Sequence, residues 1–126
     1  MEFKMKENSF VGEFEFGQLE VSGNAEYGFR PYQLLVSSVA VCSGGVLRKV
    51  LQKQRIEFED IRIQADVKRN EAGVNEVTDI HLHFIITGTN ATDEKIEKAL
   101  KVTRKNCTIV QTVKDSIKVT ESFEKK

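Results

Sequence analysis

The chain has 126 residues and carries 19 Lys and Arg against 19 Asp and Glu, so its formal charge is zero. That length suits a single domain that buries most of its apolar surface around one core. The even charge balance leaves no electrostatic footprint for nucleic acid or an anionic membrane as partner.

The N-terminus, MEFKMKENSF, alternates charge and hydrophobe and has no apolar segment of the secretory kind, so a cytoplasmic location is expected. The stretches EFKMK, SFVGEFEFG and QLEVSG predict a three-stranded meander. In the second, Phe10, Phe14 and Phe16 share one face with Gly12, while Val11, Glu13 and Glu15 take the other. Leu19 and Val21 repeat the alternation, and Gly17 and Gly23 punctuate it.

The link GNAEYGFRP leads to the only proline, Pro31, which suits the first turn of a helix because its missing N–H is no loss there. A helix is predicted from Pro31 to about Gln54. Leu35, Val39, Cys42, Val46 and Val50 fall on one stripe, which Leu34, Val41 and Leu51 widen. So broad an apolar surface implies a helix covered on most sides. Its apolar run reads as too short for a bilayer and is broken by Ser37, Ser38 and Ser43. Gly44 and Gly45 follow Cys42 after a single serine, and each costs about 1 kcal/mol against Ala inside a helix. A disturbance is expected there, at a place where something comes close to the backbone.

A hairpin follows. In DIRIQADVKRN the set Ile61, Ile63, Ala65 and Val67 alternates with Arg62, Gln64, Asp66 and Lys68. EAG supplies a turn around Gly73, and Ile80, Leu82, Phe84 and Ile86 share a face of the returning strand. TDEKIEKALKVTRKN is a helix with Thr92 as cap, Asp93 and Glu94 at its positive end and Lys101, Arg104 and Lys105 at its negative end. Ile96, Ala99, Leu100 and Thr103 form its inner face, and Asn106 reads as a left-handed stop. CTIVQTVKD opens a short second helix with Cys107 in its first turn, and SIKVTESF is a closing strand. The order β-β-β, long α, β-β, α-α, β defines an α+β class, as one domain over residues 1–126 without repeats or linkers.

Two cysteines, Cys42 and Cys107, lie far apart in sequence, and no CxxC motif offers a zinc site or a thioredoxin-type dithiol. In a reducing cytosol they are either inert packing or a redox pair. Local physics selects Cys107 as the more acidic thiol, since the N–H groups and dipole of a first helical turn favour thiolate and Arg104 and Lys105 precede it. Cys42, deep in an apolar helix, needs a charge supplied by the fold, for which Arg30 at the start of the helix is the leading residue. His81 and His83 alternate on one strand face with Asp79. They are capable of joining a metal site, but a polar, solvent-facing strand side is the preferred reading.

The segments RPYQLLVSSVAVC, Arg30 to Cys42, and NCTIVQTV, Asn106 to Val113, resemble the OsmC/organic hydroperoxide resistance family. Pro31, Gln33, Leu34, Leu35, Ser38 and Cys42 match its spacing, Cys107 matches its second cysteine, and the element order agrees across the chain. The resemblance implies an OsmC-like α+β fold and an intertwined homodimer with sites at the subunit interface. It implies a thiol peroxidase, with Cys42 attacking an organic hydroperoxide to become a sulfenic acid and Cys107 resolving it to a disulfide. Arg30 would orient substrate or stabilise thiolate, with Tyr32 and Gln33 in substrate contact. A dithiol reductant, for example a lipoylated protein, would regenerate the pair, and no metal or other cofactor is implied. Small residues beside Cys42 would let helix pack closely on helix. Tyr32 stands where the peroxidase branch has glutamate and Thr108 where proline is frequent, which aligns the chain with a less characterised OsmC-like branch. The competing expectation is an OsmC-fold binding module for a small apolar ligand, with weak or no peroxidase activity.

Overall fold

The computed structural model describes residues 1–126. The chain divides into two compact units, residues 1–37 and 38–126.

In the first unit, β1 (Phe3–Met5), β2 (Phe10–Glu13) and β3 (Gln18–Val21) pair antiparallel in that order, as the alternation predicts. Phe3 lies opposite Gly12, and a Cβ at residue 12 would stand 2.6 Å from the Phe3 ring. Glycine there lets the ring lie across the strand, where its centroid is 5.9 Å from that of Phe14. The second strand is shorter than the alternation suggested. Phe14 and Gly17 exchange backbone hydrogen bonds of 3.0 and 3.1 Å around Glu15 and Phe16, so the chain reverses where strand had been expected. Phe16 therefore sits at the tip of a two-residue hairpin, fully exposed, and does not share the Phe10 face. After β3 the chain folds back, and Phe29 donates its N–H to Glu20 O at 2.9 Å.

α1 (Pro31–Lys53) begins in the first unit and continues into the second. It is continuous through Gly44 and Gly45, without the expected disturbance. Its buried residues are Val36, Val39, Ala40, Ser43, Gly44, Leu47 and Leu51, whereas Val41 is exposed and Leu35, Cys42, Val46 and Val50 are half-buried. The covered stripe is thus rotated from the expected one. A helix apolar nearly all round does not declare which face will be covered, and here Ile63 of β4 (Asp60–Arg69) closes on α1 at Gly44. At 23 residues, with mean hydropathy 1.6 over its most apolar stretch, α1 is also long and apolar enough to cross a bilayer, contrary to expectation. Val39, Leu47 and Leu51 have no solvent exposure, but only 33% of that stretch is buried, so the covering on most sides expected from its apolar surface is not supplied by this chain. It ends in a Schellman arrangement, in which Ile56 donates its N–H to Leu51 O and Arg55, at φ 58°, donates to Gln52 O.

β5 (Val77–Thr87) pairs antiparallel with β4 and parallel with β6 (Lys118–Lys125), in the order β4-β5-β6. Ile80, Leu82, Phe84 and Ile86 have no exposure, as their alternation predicts. The β4–β5 turn is held by Asn70, which accepts from Gly73 and Asn75 and donates to Glu76 O. A parallel neighbour needs a crossover, and α2 (Asp93–Asn106) with α3 (Thr108–Val113) supplies it. Lys95 N–H donates to the Thr92 cap at 3.3 Å, and Ile96, Ala99, Leu100 and Thr103 are the buried face of α2, both as expected. Asn106 is no left-handed stop. It is the last helical residue, its side chain donates to Val102 O, and only Arg55 and Asn75 among non-glycine residues have positive φ.

Candidate redox site at the end of the second helix

Cys107 occupies the bend between α2 and α3, with φ −82° and ψ 107°. It is the N-cap of α3, outside the first helical turn where it was expected, and it is completely buried. The bend is tied on both sides. Gln111 donates its N–H to Cys107 O at 3.0 Å and its side-chain amide to Arg104 O at 2.9 Å. Arg104 Nη1 donates to Val119 O at 2.8 Å and to Glu121 Oε2 at 2.7 Å. The end of α2 is thereby pinned to β6. Arg104 is occupied by Glu121 and is not the cation beside the thiol that its sequence position suggested.

The Cys42 thiol is near enough to Cys107 to act on its ionisation, and both cysteines are free. Burial pushes the Cys107 pKa above its ordinary value of 9.0, and the neighbouring Cys42 sulfur pushes in the same direction. The backbone N–H groups of Val110 and Ile109 favour the thiolate, but they are outweighed. The expectation that Cys107 is the acidic thiol is therefore overturned. A helix start favours thiolate only where the sulfur keeps enough polarity around it, and this one has lost its water. Cys42 is half-buried on α1. The pair thus consists of one half-buried cysteine and one that is fully buried.

In the first unit, Arg30 stacks its guanidinium on the Tyr32 ring, 4.8 Å from the centroid. Arg30 O accepts from the N–H of Gln33 and of Leu34, which starts α1, and Gln33 is exposed. His81 and His83 turn their rings to β6. His81 bonds with Thr120 Oγ1 and Ser122 Oγ, each at 2.7 Å; His83 bonds with Ser122 Oγ at 2.7 Å and Glu124 Oε1 at 3.0 Å. No group of three His, Cys, Asp or Glu is arranged to hold a metal ion. Sequence reading missed the partners on β6, although the alternation Thr120, Ser122, Glu124 was visible. It also missed Glu121 and Gln111, because neither the parallel pairing of β6 nor the bend at Cys107 leaves a local signal.

A three-stranded sheet backed by a long helix, with a crossover that buries one cysteine against another, defines a two-thiol α+β protein. The model for OsmC-like proteins matches residues 23–122, and the chain belongs to that family. It is 27% identical over 119 residues to protein YhfA of Escherichia coli strain K12, covering 92% of this chain and 89% of YhfA. Its fold is similar to a hypothetical protein from Aquifex aeolicus VF5, at 27% identity and TM-score 0.87, covering 99% of this chain and 93% of the other. It is also similar to an organic hydroperoxide resistance protein OsmC from Legionella pneumophila, at 20% identity and TM-score 0.75, covering 98% and 93%.

Proposed function

We propose that this protein is a thiol-dependent peroxidase that reduces organic hydroperoxides in oxidative-stress defence. The observation that carries this reading is the contact between a half-buried Cys42 and a fully buried Cys107. Membership of the OsmC-like family and the name of the Legionella neighbour support it. The Cys42 thiolate attacks the distal peroxide oxygen, the O–O bond breaks, and the alkoxide leaves with a proton as alcohol. The Cys107 thiol then displaces hydroxide from the Cys42 sulfenic acid, giving a disulfide and water. A dithiol, such as a lipoyl group on a partner protein, reduces the disulfide and becomes a disulfide itself. Arg30 orients the substrate, with Tyr32 and Gln33 as its neighbours in this role.

A second copy of the chain is the further partner. Phe3, Met5, Phe10, Phe16, Tyr27 and Phe29 are all exposed within residues 1–37, an apolar display that a homodimer would cover. Light scattering of the purified protein reads this directly. The cytoplasm is the compartment in which such a reductant and free thiols coexist.

Thiol counting after one equivalent of an organic hydroperoxide tests the activity. Wild type is expected to lose both thiols rapidly, Cys107→Ser to hold a sulfenic acid that a dimedone probe captures, and Cys42→Ser to stay unreacted. Loss of thiols no faster than free cysteine would overturn the reading in favour of an apolar-ligand module.

A further inference from the structure

The two histidines lie at the centre of an unbroken side-chain chain, Thr120–His81–Ser122–His83–Glu124, that crosses back and forth between β5 and β6. It runs on the strand face opposite the buried Ile80, Leu82, Phe84 and Ile86. The redox pair makes no use of it.

Counting hydrogens gives the chain a direction. A carboxylate only accepts, so His83 Nε2 carries the hydrogen toward Glu124. In a neutral ring Nδ1 is then an acceptor, and Ser122 Oγ–H donates to it. A hydroxyl has one hydrogen, so His81 Nε2–H must donate to Ser122 Oγ. His81 Nδ1 is left to accept from Thr120 Oγ–H. Every member is satisfied, and every bond points toward Glu124.

We propose that this chain is a proton-gated relay in which Glu124 sets the tautomer of both histidines and so locks β6 onto β5. A proton taken up at His83 Nδ1 ends the relay at Ser122, whose oxygen then faces two N–H donors while its own hydrogen loses its acceptor. A second proton at His81 would place two imidazolium rings on the same hydroxyl. The other groups on this face come from all three strands. Asp66 and Gln64 lie across from His81 and His83 on β4, and Arg62 lies across from Ile85. Asp79 precedes His81 on β5, with Lys68 and Lys118 as its two cross-strand neighbours. Asp66, Asp79 and Glu124 bring negative charge to this face, and Lys68, Lys118 and Arg62 bring positive charge. The relay ends at Thr120, next to Val119, whose carbonyl accepts from Arg104 at the end of α2.

Long-range nitrogen–proton NMR of the imidazole rings, at about pH 8 where an ordinary imidazole is neutral, tests the proposal. Wild type should show both rings as the Nε2–H tautomer alone. Glu124→Leu removes the only group that sets direction. Both rings should then become tautomer mixtures, including His81, which does not touch residue 124. In a Ser122→Ala background the same substitution should change His83 and leave His81 as it was. An Nδ1–H tautomer at either ring of wild type would overturn the relay, and that reading depends on no variant folding. Indifference of His81 to Glu124→Leu would overturn the coupling.

Discussion

Ile63 on β4 drives its Cδ1 into the space that a side chain at residue 44 of α1 would occupy, so Gly44 is where helix and strand touch. At its neighbour Gly45, a Cβ would meet nothing within 4 Å. The two adjacent glycines therefore do different things, and the close approach expected beside Cys42 is made by a strand. Gly45→Ala is expected to raise stability by about 0.5–1 kcal/mol through helix propensity alone. Gly44→Ala should gain less or lose, and Ile63→Val, which removes the offending methyl, should restore the gain in the double variant. Urea unfolding of the four proteins checks this. A loss of stability in Gly45→Ala would show that a second copy of the chain covers that side of α1.

Arg104 and Glu121 form a partly buried pair, with side chains 35% and 16% exposed. Arg104→Leu leaves the carboxylate without its partner and Val119 O without its donor, and it is expected to cost about 1.5–3 kcal/mol. Adding Glu121→Leu should recover part of that loss. A double-mutant cycle by chemical unfolding measures the coupling. Simple additivity of the two single changes would show that the pair contributes nothing.

Burial raises the folded Cys107 pKa above 9.0. Its contribution to stability is fully present below that unfolded value and is lost as pH rises through the folded one. Wild type should therefore lose stability as pH rises past about 9 more steeply than Cys107→Ala. In the same range native Cys107 should resist iodoacetamide while Cys42 reacts. Equal slopes for the two proteins would contradict an enclosed Cys107.

Ser9 Oγ–H donates to Glu20 Oε2, and Lys6 Nζ lies 3.2 Å from the same oxygen. Together they hold the Glu20 carboxyl below its ordinary value of 4.5, the serine most strongly. The associated stability exists above the unfolded pKa and disappears as pH falls through the lower folded value. Ser9→Ala should move the Glu20 titration, followed by carboxyl NMR, up toward the ordinary value.

Arg55 holds a left-handed φ of 58° at the residue after the α1 cap. Glycine adopts that conformation without a Cβ penalty, so Arg55→Gly should stabilise the protein by a few tenths to about 1 kcal/mol. A fall in melting temperature would mean that the arginine side chain has a compensating contact.

Much of the fold was legible because it rests on local periodicity. The hairpin alternation from Ile61 to Ile86, the Thr92 cap and the inner face of α2 depend on spacings of two, three and four residues, which the chain carries in itself. Pro31 marked the start of α1 for the same reason. Failures came where a local signal was balanced. Phe14 and Phe16 continue an alternation that the Phe14–Gly17 turn interrupts, and a helix apolar on almost every side does not declare which stripe will be covered. The candidate site divides in the same way. Cys42 and Cys107 stood out as residue types at recognisable spacings, but 64 intervening residues hide whether their sulfurs meet. The upward shift of the Cys107 thiol needed burial and the neighbouring Cys42 of α1, which outweigh the α3 backbone. His81 and His83 announced a polar face. Only the parallel addition of β6 gave them Thr120, Ser122 and Glu124 as partners. The sequence by itself determined the order of the elements, the Thr92 cap and the family, since those follow from neighbours along the chain. Tertiary structure alone decided which cysteine is fully buried, what Gly44 accommodates and which hydroxyls and carboxylate the two imidazoles face, because each depends on atoms brought together from distant strands and helices.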